Sequence, residues 1–224
     1  MNSPTVFIVD DDTAVRESLC DLVQAIGLNV ETHAGAQEFL DAYDPARPGC
    51  LVVDVRMPGM SGLALQEQLA ARGVRIPLIM ITGHADVPMA VRTMERGAFD
   101  FLEKPFRAQV LLDQIQRAIQ RDQQIRQQER RRAQIAGRMA LLTPRERAVL
   151  DRVLEGRANK VIAAQLGISK RTVEVHRAQV MHKLEVDSLA ELMQQVLFFR
   201  GLPPVPPARP SGFVRLGENH NSGT

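Results

Sequence analysis

Four short apolar runs each lead into residues suited to phosphoryl chemistry. Val6–Val9 runs into Asp10-Asp11-Asp12, Cys50–Val53 into Asp54, Pro77–Ile81 into Thr82-Gly83, and Phe99–Glu103 into Lys104-Pro105. Taken singly these residues are ordinary: Asp12 reads as a helix cap, Asp10 and Asp11 as solvated acids, Thr82 as a strand end and Lys104 as a surface lysine. Their weight comes from position, because all lie at the same edge of one predicted sheet. In an open α/β sheet that edge, at the carboxyl ends of the strands, is where ligands bind. Carboxylates gathered at one point repel each other unless a cation joins them, which points to a hard metal ion such as Mg²⁺. A carboxylate, Mg²⁺ and a lysine are the parts needed to accept a phosphoryl group.

The elements that must position these residues follow from periodicity. Strands are predicted over 5–9, 28–32, 50–54, 77–81 and 99–103. Helices are predicted over 13–26, 35–43, 62–72, 86–96 and 106–120, with Val15, Leu19, Leu22, Val23 and Ile26 on the inner face of the first. Gly27, Gly73 and Gly97 end three of them. Five strands alternating with five helices call for a doubly wound α/β fold, a five-stranded parallel sheet covered on both faces. Residues 121–138, RDQQIRQQERRRAQIAGR, are Gln- and Arg-rich and too poor in apolar residues to pack a core. They are read as an extension of the preceding helix that becomes an exposed linker. A coiled-coil seam through Ile115, Ile119, Ile125, Ile135 and Met139 is the lesser alternative, since that spacing breaks the heptad.

A second, all-α domain is predicted over 139–200, with four helices over 144–155, 159–166, 170–184 and 188–199. Thr143-Pro144-Arg145-Glu146 has the residues of a capping box with proline at the first helical position. A short helix, a turn with Gly167, and a longer basic helix capped by Ser169 make a helix-turn-helix. That pattern also occurs in structural bundles and dimerisation modules. The tail 201–224 holds five prolines between 203 and 210 and is expected to be disordered; its Pro204–Arg209 segment formally fits a PxxP ligand.

Charge is divided unevenly. Residues 1–120 hold 10 basic and 16 acidic side chains, net −6, whereas 121–138 carry +4 and 139–200 carry +3. The basic half points to a nucleic-acid partner. Cys20 and Cys50 sit in apolar patterns without metal-ligand spacing and read as small core residues in a reducing compartment. No apolar run approaches the roughly 18 residues needed to span a bilayer. The start MNSPTVFIVDDD has no basic n-region, so no signal peptide, no membrane partner and a cytoplasmic location are expected.

With these blocks in place, residues 5–120 resemble a response-regulator receiver domain, a flavodoxin-like fold. The match rests on Asp10-Asp11, Asp54 with Met57-Pro58 and Gly62, Thr82-Gly83, and Phe101-Leu102-Glu103-Lys104-Pro105. The resemblance implies Asp54 as phosphoacceptor, Asp11 as a direct Mg²⁺ ligand, Asp10 as a ligand mainly through water, and the Arg56 backbone carbonyl as the remaining protein ligand. It further implies that Lys104 pairs with the phosphoryl oxygens, that Thr82 hydrogen-bonds them after transfer, that Phe101 swings inward as the switch aromatic, and that Lys104-Pro105 is cis. Asp12 stands where this family often has glutamate. The donor implied is a phosphohistidine on a sensor histidine kinase, since the chain has no Walker A loop. Phosphorylated receivers are expected to pair as a homodimer through helix 86–96 and strand 99–103.

Residues 140–200 resemble the LuxR-type DNA-binding domain, through Leu142–Glu146, Asn159–Ala164, Ser169–Arg177 and Met181–Leu184. The two halves together are similar to the FixJ branch of response regulators. On the recognition helix, Ile168, Val173, Val180 and Leu184 are expected in the core. Ser169, Lys170, Arg171 and Thr172 are placed to hold phosphates of double-stranded promoter DNA. Glu174 can accept from a cytosine amino group, Val175 can touch a thymine methyl, and Arg177 can reach a guanine or a phosphate. Lys160 and Lys183 are expected on the backbone, while His176 reads equally as structural or as a contact. The expected function is phosphorylation-controlled transcription, with activation favoured and RNA polymerase left open as a further partner. Two rivals remain: a Mg²⁺-dependent aspartyl-phosphate phosphohydrolase, and an interaction protein that binds no DNA. The first needs an aspartate two residues after the nucleophile, where this chain has Arg56.

Overall fold

In this computed structural model, residues 3–83 and 87–201 are described. The Pro-rich tail, with its PxxP segment, lies outside the described residues. The chain divides into two compact units between residues 129 and 130.

The first unit alternates β1 (Thr5–Val9), α1 (Thr13–Gln24), β2 (Asn29–His33), α2 (Ala36–Ala42), β3 (Gly49–Asp54), α3 (Gly62–Ala71), β4 (Leu78–Thr82), α4 (Val87–Glu95), β5 (Asp100–Glu103) and α5 (Ala108–Ala140). The strands form one sheet in the order β2-β1-β3-β4-β5, with every pairing parallel. β1, β3 and β4 are buried along their whole length. This is why they read as unbroken Val/Ile/Leu runs rather than as alternating ones.

Alternate side chains of those strands feed two cores. Phe7, Val9, Leu51, Val53 and Met80 pack on one face with α2 and α3 residues such as Phe39 and Leu65. Val6, Ile8, Val52, Ile79 and Ile81 pack on the other with Leu19 and Val23 of α1 and with Leu111, Ile115 and Ile119 of α5. The parallel arrangement brings the ends of β1, β3, β4 and β5 to one edge. Asp12 caps α1, accepting from the backbone of Ala14 at 2.9 Å.

Two expectations need correction. Ile26 is 39 % exposed rather than inward, because α1 ends at Gln24 and Gly27 then takes φ +77°. The Gln/Arg-rich stretch is helical but not exposed throughout. Asp122 is buried, accepting from the Gly49 backbone at 3.0 Å and from Arg126 Nε at 2.7 Å, and Ile135 is buried as well. Arg126 also donates to the carbonyls of Pro45, Ala46 and Arg47. A polar clamp holds this part of the helix, which is why apolar counting overlooked it. Ile115 and Ile119 go to the sheet core and Met139 packs in the second unit, so they are already occupied and form no coiled-coil seam.

The second unit holds the end of α5 and α6 (Pro144–Leu154), α7 (Asn159–Leu166), α8 (Lys170–Leu184) and α9 (Leu189–Phe199). The predicted capping box on α6 is complete, with Thr143 Oγ1 accepting from Glu146 N and Glu146 accepting from Thr143 N. Gly167 closes α7 at φ +64°, the left-handed conformation that costs glycine little. Val149, Leu150, Ile162, Val173, Val180 and Leu184 form the core, with Ile168 half-buried at its rim. No helix among the described residues is long and apolar enough to cross a membrane.

Glu146 has a second task. It is only 5 % exposed, and Lys183 of α8 donates to both its oxygens, at 2.9 and 2.7 Å, and to the carbonyl of Leu141. The hydrogen bonds from Lys183 and from the Thr143 backbone hold the Glu146 carboxyl below the usual glutamate range. Its stabilising contribution is therefore present above the ordinary glutamate pKa and is lost as pH falls through the lower folded value. Lys183→Met leaves a buried carboxylate without its cation and is expected to destabilise the second unit by about 1–3 kcal/mol at neutral pH. In urea titrations of wild type and variant, that gap should shrink once the pH drops below about 4.3. A gap that widens in acid, or none at neutral pH, would remove Glu146–Lys183 from the account of stability.

Candidate functional site

Strand ends meet here as the spacing predicts. Lys104, just after β5, places Nζ 2.8 Å from Asp10 Oδ2 and 2.8 Å from Asp54 Oδ1. Asp10 follows β1 and Asp54 ends β3, so one ammonium joins the tips of three strands. Both carboxylates are buried, with Asp10 at 2 % and Asp54 at 6 % exposure. Burial works against the charge on Lys104, but hydrogen bonds to Asp10 and Asp54 outweigh it and hold the lysine above its ordinary pKa. Lys104 thus stays an ammonium at neutral pH.

The other oxygens are also held. Asp54 Oδ2 accepts from the backbone N–H of Arg56 at 2.6 Å, and Asp10 Oδ1 accepts from Asp12 N at 2.9 Å. Arg16 of α1 donates to the Asp10 carbonyl at 2.7 Å, a support that sequence spacing did not reveal. Gly62 is required where α3 starts, because a Cβ there would lie 2.3 Å from the Asp54 carbonyl oxygen. Close approach, rather than turn conformation alone, explains the glycine in the block after Asp54.

Thr82 ends β4 beside Asp54 in register terms, since Ile81 pairs with Asp54 and Thr82 with Glu103. It is fully buried, and its carbonyl accepts from Lys104 N at 2.7 Å. Phe101 is half-buried and packs against the core on the α3 face of the sheet. The Lys104-Pro105 bond is cis. Asp11 is exposed next to Asp10, and the Arg56 side chain is exposed.

A divalent cation suits this donor set. Asp10 and Asp54 bring two buried carboxylates against a single ammonium, leaving a net negative charge, with Asp11 adjacent in the chain. Among the described residues no group of three or more His, Cys, Asp and Glu side chains forms a closed metal cage. Mg²⁺ does not require one, because it keeps several waters and binds through one or two carboxylates.

In the second unit the expected DNA residues fall into two groups. Lys160, Ser169, Lys170, Arg171, Glu174 and Val175 are exposed, and Thr172 is half-buried at the start of α8. Ser169 Oγ accepts from Thr172 N at 3.0 Å and lies 2.8 Å from its hydroxyl. Lys170 and Glu174 pair loosely at 3.6 Å, one turn apart. Arg177 and Lys183 are occupied inside the domain instead. Arg177 donates to Asn159 Oδ1 at 2.7 Å, and Lys183 serves Glu146. Asn159 went unnoticed as a positioning residue because its partner lies 18 positions away, beyond any helical repeat.

Comparison with known proteins agrees with both halves. The family described as "Response regulator receiver domain" matches residues 6–116, and "Bacterial regulatory proteins, luxR family" matches 140–196. The chain is 48 % identical to the transcriptional regulatory protein FixJ of Azorhizobium caulinodans, over 92 % of this chain and 97 % of that one. It is 41 % identical to the transcriptional regulatory protein TdiR of Thauera aromatica, over 88 % of this chain and 86 % of that protein. Among solved structures, the response regulator StyR aligns with a TM-score of 0.79 at 48 % identity, covering 87 % of this chain and 98 % of that one. Full-length FixJ from B. japonicum aligns at 0.55 with 41 % identity, covering 91 % and 100 %.

Proposed function

The chain belongs to the FixJ-type response regulators, in which a receiver domain precedes a luxR-type DNA-binding domain, and on that premise we propose that Asp54 is its phosphoacceptor. It is a phosphorylation-dependent transcription regulator whose partners are a histidine kinase and DNA. The observation that carries the assignment of Asp54 is Lys104 reaching both Asp10 and Asp54 at 2.8 Å.

The reaction follows from those contacts. An Asp54 carboxylate oxygen attacks the phosphorus of a kinase phosphohistidine, the P–N bond breaks, and an acyl phosphate forms. Lys104 then exchanges a carboxylate partner for a phosphoryl oxygen. The buried Thr82 hydroxyl donates to another phosphoryl oxygen, and Phe101 follows Thr82 inward as the switch. The Arg56 N–H keeps the Asp54 carboxylate oriented throughout. Receivers are a generally Mg²⁺-dependent family, and here Asp10, Asp11, Asp54 and the Arg56 carbonyl would hold the ion. When bound, Mg²⁺ supplies neutralisation of the charge on the transferring group. A phosphohydrolase is disfavoured because Arg56 stands where its acid/base aspartate belongs. The chain is thus an acceptor rather than an enzyme acting on a separate substrate, and we place it in the cytoplasm.

We divide the chain into a receiver over 1–120, a helical linker over 121–138 and a DNA-binding domain over 139–200. Phosphorylated receivers pair through α4 and β5. Val87, Val91 and Met94 of α4, spaced on one helical face, are 77, 49 and 45 % exposed and support this choice. Pairing raises affinity because each copy brings one half-site reader. At the DNA, Ser169, Lys170, Arg171, Thr172 and Lys160 hold phosphates, and Glu174 and Val175 read bases. Arg177 reaches the groove only by leaving Asn159, and Lys183 acts through Glu146 rather than on DNA.

Asp54→Asn is expected to abolish labelling by acetyl phosphate while leaving the fold intact; undiminished labelling of that variant moves the phosphoacceptor elsewhere. Beryllofluoride with Mg²⁺ is expected to convert monomer to dimer in sedimentation, and an unchanged mass would rule out pairing as the switch. In gel shifts over a salt series, Lys170→Ala and Arg171→Ala should weaken binding to all sequences and each lower the salt slope by about one. Glu174→Ala should instead relax preference at one base pair, with a discrimination loss of about 1–3 kcal/mol. The reverse pattern would reassign which of these side chains read bases.

A further inference from the structure

A groove of about 580 Å³ opens in the first unit at the amino ends of β4 and β5, the edge of the sheet away from Asp54. That volume lies within the roughly 300–1,000 Å³ typical of small-molecule pockets. Part of its wall is apolar, formed by Leu69 of α3, Val74 and Ile76 before β4, Ala98 and Phe99 before β5, and Ile125 of α5. Three guanidinium groups, Arg75, Arg96 and Arg121, also line it, and no acidic side chain does.

Two of those cations are already engaged. Arg96 pairs with Glu67, and Arg75 lies 3.7 Å from Glu129. Arg121 is exposed and makes no ion pair or hydrogen bond with any described residue. The groove therefore has one uncompensated positive charge at its mouth.

The second polar feature is deep. Gln66 is 94 % buried, and its Nε2 donates to the Thr93 carbonyl of α4 at 3.2 Å. A carbonyl can only accept, so this bond settles which end of the amide is which. Gln66 Oε1 is then a buried acceptor with no partner among the described residues. Buried acceptors are nearly always satisfied, because an unmade hydrogen bond there is costly.

We propose that this groove binds a small organic monoanion with an apolar body and a hydrogen-bond donor. Arg121 takes the anionic head, the Leu69, Ile76 and Phe99 wall takes the body, and Gln66 Oε1 accepts from the donor. Because Gln66 also holds Thr93, such a ligand bears on the contact between α3 and α4. The site is separate from the phosphoacceptor site and does not depend on it.

The test titrates ¹⁵N-labelled full-length protein with 4-hydroxyphenylacetate, a carboxylate with an aromatic body and a phenolic donor. Saturable shifts are expected at the amides of Gly73, Val74, Gly97 and Phe99 and at the Gln66 side-chain amide, with a dissociation constant on the order of 1 mM for a probe of this size. The methoxy analogue, which lacks the donor, and the neutral carboxamide should each bind about fivefold more weakly or worse. Arg121→Glu should abolish the shifts, while Arg130→Glu, an exposed change outside the groove, should leave them unchanged. The same spectra report whether each variant is folded. Non-saturating shifts, shifts centred elsewhere, or undiminished binding to a folded Arg121→Glu protein would overturn the proposal.

Discussion

Two buried carboxylates and one ammonium constrain the whole first unit. Asp10 and Asp54 can sit together, nearly excluded from water, only because Lys104 stands between them at 2.8 Å from each. Removing the ammonium leaves two buried carboxylates uncompensated, a cost of about 3–5 kcal/mol. The sheet must therefore present β1, β3 and the end of β5 to one another at this edge. β1 and β3 are paired neighbours, and β4 separates β3 from β5 by a single strand. Lys104 spans that gap, while its backbone N–H is tied to Thr82 at the end of β4. The topology and the charge cluster thus require each other, and a phosphoryl group arriving at Asp54 would enter competition for the same ammonium.

Most of this was legible in sequence because the physics that positions it is local. An apolar strand that stops at a carboxylate says where the chain leaves the core, and parallel winding sends every such stop to one edge. The Asp12, Thr143 and Ser169 caps were readable for the same reason, since each acts within three residues of itself. What was not legible joins residues distant in the chain. Asp122 to Gly49, Arg177 to Asn159 and Lys183 to Glu146 span 73, 18 and 37 positions. No periodicity marks such pairs, and in each the polar residue looks like a solvated one. Lys183 shows the consequence: its place on a basic helix gives no sign that Glu146 is its partner within the domain.

The second unit solves a similar problem with different residues. A recognition helix must show charged and hydroxyl groups to a groove while its other face stays in a small core. Val173, Val180 and Leu184 fix that inner face. Van der Waals packing alone allows a short helix to roll, and Lys183 to Glu146 and Arg177 to Asn159 add directional bonds to α6 and α7. Glu146 also closes the capping box of α6, so one carboxylate sets both the start of that helix and the seat of α8. Residues that hold α8 from within leave Lys170, Arg171, Glu174 and Val175 exposed at its surface.

α5 shows why charge can do structural work in a segment that looks solvated. Its apolar stripe through Leu111, Ile115 and Ile119 meets the sheet for about two turns, and then the apolar residues thin out. At that point Asp122 takes over, accepting from the Gly49 backbone, with Arg126 spread over three successive carbonyls of the segment before β3. Gly49 has no alternative there, because a Cβ would fall 1.8 Å from the Thr5 carbonyl oxygen. The clamp therefore depends on a glycine that lets two backbones approach, a buried acid that satisfies the N–H exposed by that approach, and an arginine that neutralises the acid. Each of the three would be unfavourable without the other two. Together they carry the helix a further turn past its hydrophobic footing, and no count of apolar residues would have found it.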